Sequence, residues 1–128
     1  MKQSVWNEII DHCKKELPYE ACGLLSGKHK GGETIWKMEN TERSPHAFAM
    51  DSEHLKWTFY EMQRKNESLT GIYHSHPSGA PYPSSRDIEY ANYPEAVNII
   101  VSLAFQQPIV KGFQIINRKV IPVDLKII

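Results

Sequence analysis

The stretch Gly71-Ile-Tyr-His74-Ser-His76-Pro77 carries two imidazoles separated by one residue, and Ser84 and Asp87 lie beyond a proline-rich loop. Side chains two apart on a β-strand point to the same face, with Cα atoms roughly 6.6 Å apart. Both rings can therefore converge on one ion at zinc–nitrogen distances of about 2.0–2.1 Å. Pro77 cannot donate to a sheet ladder, so the strand should end where the site opens. Asp87, in the first turn of a following helix, can reach back as an oxygen donor. Two imidazoles and one carboxylate leave a fourth position for water, the arrangement of a catalytic rather than a structural zinc.

Each feature also has a plainer reading. A lone His-x-His in a strand is more often incidental than a ligand pair. Ser84-x-x-Asp87 is close to a helix-capping box, although aspartate is a weaker match there than Glu or Gln. Ser84 can serve both ends, its hydroxyl capping the helix while facing a metal. Glu20, between Pro18 and an apolar segment, reads on its own as a solvated loop carboxylate.

The elements that must position these residues are set by periodicity. Val5, Ile9 and Cys13 recur at i, i+4, i+8, the stripe of an amphipathic helix that ends before Pro18. Ala21–Ser26 is a short buried strand closed by Gly27, Lys28–Gly32 a turn, and Glu33–Glu39 the returning strand of a hairpin. Asn40–Met50 is a loop. Asp51 or Ser52 caps a second helix with Leu55, Thr58, Phe59 and Met62 on one face. Leu69–His76 is a strand, Pro77–Pro83 a loop, and Ser84 or Ser85 opens a short third helix. Val97–Phe105, Ile109–Ile116 and Lys119–Leu125 are three further strands. Helices interleaved with hairpins imply an α/β (α+β) domain built on one sheet, with residues 1–128 as a single unit.

Bulk properties narrow the function classes. The 128 residues carry 15 Lys plus Arg against 15 Asp plus Glu, a formal net charge of zero. That weighs against nucleic acid as a partner, since phosphate binding usually needs a basic excess. No apolar run approaches the roughly 20 residues of a membrane helix, and the start lacks a signal-peptide core. A cytoplasmic location is expected, with Cys13 and Cys22 as reduced thiols outside any CxxC pair. His12, His29, His46 and His54 read as surface residues.

Taken together, the motifs resemble the JAMM motif of the MPN-domain metalloproteases. That motif is a Glu, then His-Ser/Thr-His-Pro, then a fixed spacing to Ser-x-x-Asp. Here Pro77–Pro83 spans seven residues, Ser84 comes next, and Asp87 completes it. Upstream, Pro18-Tyr-Glu20-Ala-Cys-Gly23-Leu-Leu-Ser-Gly27 is similar to the segment that supplies the family's catalytic Glu. The resemblance implies that His74, His76 and Asp87 hold one Zn2+ per chain, and that Glu20 is general base and then general acid. It implies that Ser84 donates to the oxyanion. The implied fold is a mixed β-sheet flanked by helices, the JAMM/MPN fold similar to cytidine deaminase. A deaminase itself is a poor alternative, because its P-C-x-x-C signature is missing.

Within the family, the chain is most similar to compact prokaryotic peptidases that act on ubiquitin-fold sulfur-carrier proteins ending in Gly-Gly. The expected reaction is hydrolysis of the bond after that Gly-Gly, for example releasing cysteine. Asn40–Met50 and Ser78–Pro83 are the expected walls of a narrow groove. Alternatives are an isopeptidase that removes ubiquitin-like modifiers from lysine, a RadC-like DNA-associated protein, and a non-catalytic zinc-stabilised binding module. Homodimer formation is left open.

Overall fold

A computed structural model describes residues 1–28 and 34–128. Three helices and six strands occur in the order α1 (Gln3–Lys15), β1 (Cys22–Gly27), β2 (Thr34–Met38), α2 (Ser52–Arg64), β3 (Ser68–His76), α3 (Ser85–Glu89), β4 (Val97–Ser102), β5 (Ile109–Ile116) and β6 (Lys119–Val123). The strands form one sheet in the order β2-β1-β3-β4-β5-β6. Every neighbouring pair is antiparallel except β3 and β4, which run parallel. A parallel pair cannot be closed by a hairpin. The chain from Pro77 to Ala96, with α3 in it, makes that crossover and carries Ser84 and Asp87 past the end of β3.

All three helices and six strands expected from the sequence are present, with shifted ends. β4 stops at Ser102 and β6 at Val123, short of Phe105 and Leu125. The expected turn Lys28–Gly32 falls, after Lys28, outside the described residues, as do His29 and Glu33 at the start of the returning strand.

Strand alternation decides what each face of the sheet does. Leu25, Tyr73, Ile99 and Val101 point to the α1 side and pack with Val5, Ile9 and Cys13. Leu24 and Cys22 point the other way, against Met62 of α2 and Met38. Cys22 is opposite His74 and Leu24 opposite Ile72, so His74 and His76 lie on the α2 face while Tyr73 and Ser75 face α1. Gly23 pairs with Tyr73, and a side chain there would collide with the Tyr73 ring. The absence of a Cβ lets the ring lie flat over the strand and reach α1.

Tyr73 also corrects the sequence reading of one histidine. His12 is buried, and its Nδ1 lies 2.6 Å from the Tyr73 hydroxyl. Position 12 is seven residues beyond Val5, on the buried stripe of α1, so helical periodicity itself could have flagged it. His46 is exposed and His54 half-buried. Cys13 and Cys22 are buried and unpaired, and burial pushes both thiols up to about 12, so neither is a nucleophile near neutral pH. Among the described residues, no helix is long and apolar enough to cross a membrane.

Candidate metal centre

β3 ends at His76, with Pro77 next. His74 and His76 are both buried, with 3% and 8% of their surface exposed, and project from the same face of the strand. Asp87 comes to them from α3. Ser84 is the N-cap of that helix: its hydroxyl accepts from Asp87 N at 3.1 Å, and Asp87 Oδ2 accepts from Ser84 N at 2.9 Å. A capping box satisfies backbone donors that would otherwise have no partner. Here it also aims a carboxylate, because the same Oδ2 lies 3.1 Å from His74 Nε2 and 3.2 Å from His76 Nε2.

The triangle closes with 3.1 Å between the two Nε2 atoms. Donors at about 2.0–2.1 Å from a tetrahedral ion stand roughly 3.3 Å from one another, so the three atoms fit one face of such a site. The tautomers point the same way. His76 Nδ1 donates to the Ala80 carbonyl at 2.8 Å, which leaves a neutral ring with its Nε2 lone pair facing inward. Lone pairs on two imidazoles and a carboxylate repel unless a cation lies among them, supplied by protons or by a metal. Burial would push the His76 imidazole down, yet its hydrogen bonds to Asp87 and Ala80 outweigh this and raise it. Burial would likewise raise the Asp87 carboxyl, but hydrogen bonds from His74 and His76 hold it well below the usual carboxylate range. Among the described residues these three are the group able to hold a metal ion.

Glu20 is not the solvated carboxylate that its local sequence suggests. It is 4% exposed, and its Oε1 is buried without a hydrogen-bond partner among the described residues. The loop from Asn40 holds it from outside. Glu20 N donates to Ser44 O at 2.9 Å, and Asn40 Nδ2 donates to Glu20 O at 3.0 Å. The other amide contacts of Asn40 go to Ala47 O, Glu42 N and Ala49 N, so one side chain shapes the whole loop. Burial pushes the Glu20 carboxyl up to about 7, with the His76 charge pulling down and the Asp87 charge pushing up. A carboxyl poised there can take a proton from water and give it back.

Two residues that the motif does not contain also shape the centre. The Phe48 ring lies over His74, with centroids 4.7 Å apart and planes 31° apart. Arg86 reaches Glu42 at 2.6 Å, tying α3 to the Asn40 loop. Neither contact has a local signal, since each joins segments distant in sequence. Beside the donors lies a mostly apolar cavity of about 320 Å³, touching His74 and Asp87 and walled by Leu24, Phe48, Met50 and Ile72 among others. Of the two expected groove walls, Asn40–Met50 contributes. Ser78–Pro83 does not line this cavity; its Gly79 and Ala80 carbonyls instead accept from Ser102 Oγ and His76 Nδ1, bracing the His76 ring.

Comparison with known proteins agrees with this architecture. The family described as prokaryotic homologs of the JAB domain matches residues 2–115. The CysO-cysteine peptidase of Mycobacterium tuberculosis is 35% identical over 98 residues, 75% of this chain and 67% of that protein. A probable TtuB-protein conjugate cleaving protease of Thermus thermophilus is 36% identical over 67% of this chain and 58% of its own length. A solution structure of a Desulfitobacterium hafniense protein superposes with a TM-score of 0.88 at 30% identity, covering 99% of this chain and 92% of that one.

Proposed function

The chain belongs to the prokaryotic homologs of the JAB domain, a family of JAMM-type hydrolases, and on that premise we propose that it is a zinc peptidase acting on a ubiquitin-fold sulfur carrier. The bond cut is the one after the carrier's terminal Gly-Gly, releasing cysteine or another amino acid. The observation that carries the reading is the convergence of His74 Nε2, His76 Nε2 and Asp87 Oδ2 within 3.1–3.2 Å of one another. The relative named as a CysO-cysteine peptidase supports the substrate class. In this reading residues 1–128 act as one catalytic domain in the cytoplasm.

His74, His76 and Asp87 would hold the zinc, and the donor set of two neutral nitrogens and one carboxylate fits it. When bound, zinc makes a water molecule acidic and polarises the scissile carbonyl as a Lewis acid. Glu20 takes the water's proton, which its unpartnered Oε1 is free to accept, and passes it to the departing nitrogen. Ser84 Oγ accepts from Asp87 N, which leaves its O–H able to donate to the oxyanion. Ala80 holds the His76 tautomer, and Phe48 covers the His74 ring. A Gly-Gly tail lets the substrate backbone approach this centre without side-chain clash.

A second reading, removal of a ubiquitin-like modifier from lysine, is favoured by the Thermus relative named for conjugate cleavage. The test sets the zinc-loaded protein against a carrier–cysteine conjugate, a lysine-linked ubiquitin-like conjugate and duplex DNA, with products read by mass. Preferential release of cysteine supports the proposal. Preference for the lysine linkage moves the chain to the second reading, and action on DNA alone overturns both.

A further inference from the structure

If His74, His76, Asp87 and Glu20 form a peptidase centre, a reading on which the subsite assignment rests, the two cavities that meet this centre take different parts of the substrate. The apolar cavity touches the donors His74 and Asp87. A second cavity, of about 240 Å³, touches Glu20 and none of the three donors; its other lining residues are Glu16, Tyr19, Glu39, Asn40 and Arg43. Chemistry separates them. A carboxylate that returns a proton to the departing nitrogen must lie beside that nitrogen. The cavity at Glu20 is therefore on the leaving-group side, and the acyl tail belongs to the other.

We propose that this second cavity is the leaving-group subsite, and that Arg43 selects a single amino acid whose α-carboxylate is free. Arg43 is the one cation among the lining residues, which otherwise include three carboxylates. Those carboxylates do not neutralise it: among the described residues neither Arg43 nor Glu39 has an ion-pair partner, while Glu16 is engaged by His12 Nε2 at 3.3 Å. The side chain of Asn40 cannot serve the ligand, since its amide is spent on the loop. The Arg43 main chain is tied to the same loop, because Arg43 N donates to Asn40 O at 3.2 Å, and its side chain is exposed. Glu20 is itself a lining residue, and its Oε1 is buried without a hydrogen-bond partner among the described residues. At about 240 Å³ the space is smaller than the roughly 300–1,000 Å³ of pockets for drug-sized ligands, and suits one amino acid.

The reaction gives each charge a task. Water adds its oxygen to the acyl carbon and the C–N bond breaks. The carrier leaves as a carboxylate and the nitrogen, with both water protons, leaves as an ammonium. Before cleavage the leaving amino acid has an anionic α-carboxylate, which the planar fork of a guanidinium binds with two hydrogen bonds. After cleavage it also has an ammonium, which the carboxylates of Glu20 and Glu39 attract. A lysine in a protein chain brings no carboxylate to this place.

The test compares three conjugates of one Gly-Gly-ended ubiquitin-fold carrier, joined to cysteine, to cysteine amide, and to a peptide lysine. The wild-type protein should cut the acid with kcat/KM roughly tenfold or more above the amide, the scale of a lost charge-assisted hydrogen bond, and mostly through KM. Arg43→Gln should bring the acid down towards the amide, and Arg43→Lys should restore part of the preference. Free cysteine should inhibit the wild type more strongly than Arg43→Gln, while cysteamine, which lacks the carboxylate, should not distinguish them. Equal cleavage of acid and amide by the wild type overturns the subsite but leaves the peptidase reading intact. A zinc-loaded protein that cuts none of the three overturns the peptidase reading and the subsite with it.

Discussion

The donor side and the base side of the centre are built by opposite means. His74, His76, Ser84 and Asp87 come from one short stretch; the capping box satisfies Ser84 and Asp87, and the converging rings and carboxylate are satisfied by protons or a metal held among them. Glu20 arrives alone, held by backbone contacts to Asn40 and Ser44, with Oε1 left without a partner. Burial works on both sides with different results. Hydrogen bonds from two histidines hold the Asp87 carboxyl down in spite of burial, while nothing comparable restrains Glu20, whose carboxyl rises to about 7. One side is compensated internally. The other leaves a carboxyl on which burial disfavours the charge.

Removing a member of the compensated side should have the largest effect. His74→Ala, His76→Ala and Asp87→Ala should each lower zinc occupancy sharply, measured by metal analysis of the purified protein. Full retention in all three would remove the donor assignment. Ser84→Ala comes next, because the hydroxyl caps the helix that carries Asp87 and, in the proposed reaction, donates to the oxyanion. A lost oxyanion donor costs roughly 10²–10³ in kcat, and a lost cap about 1 kcal/mol of stability. Both losses are expected on the one variant; a stability loss with unchanged kcat would make Ser84 a cap only.

The base side can be tested without substrate. Folding raises the Glu20 carboxyl from 4.5 to about 7, so the protonated form is favoured in the fold. The penalty is absent below about pH 4.5, grows as pH rises, and is complete above about 7, where it amounts to roughly 3 kcal/mol. In the metal-free protein, Glu20→Gln should therefore be more stable than wild type above pH 7 and similar below pH 4.5. Denaturant midpoints at a series of pH values check this; a difference independent of pH would show that the charge is compensated after all. Adding zinc should shrink the gap, because an opposite charge favours the ionised carboxylate. The smallest effect belongs to the loop that holds the base. Asn40→Ala should cost about 1–3 kcal/mol through unsatisfied backbone groups and slow turnover without removing zinc, read by denaturation and metal analysis.

What could be read from the sequence divides along the same line. His74 and His76 share a face because strands alternate, and Asp87 is aimed by a cap four residues long, so both rules act locally. The backbone of Glu20 is held by Ser44 and by Asn40, itself tied to Ala47, about twenty residues or more away. Local composition around Glu20 has no trace of that loop, and only the family resemblance singled the residue out. His12 was hidden differently. Its place on the helical stripe was visible, but the reason a polar ring can be buried there is the Tyr73 hydroxyl, brought from β3 by the fold. The six strands were legible from apolar runs, whereas their order and the single parallel pair were not, since pairing partners are chosen by packing across the sheet.

The division of labour between the two sides is tested most directly by measuring bound zinc and turnover together on Glu20→Gln, with the carrier–cysteine conjugate as substrate. The expected result is zinc equal to wild type and turnover lower by about 10²–10⁴, the usual worth of general acid–base catalysis. Near-normal turnover by Glu20→Gln at full zinc occupancy would contradict the account.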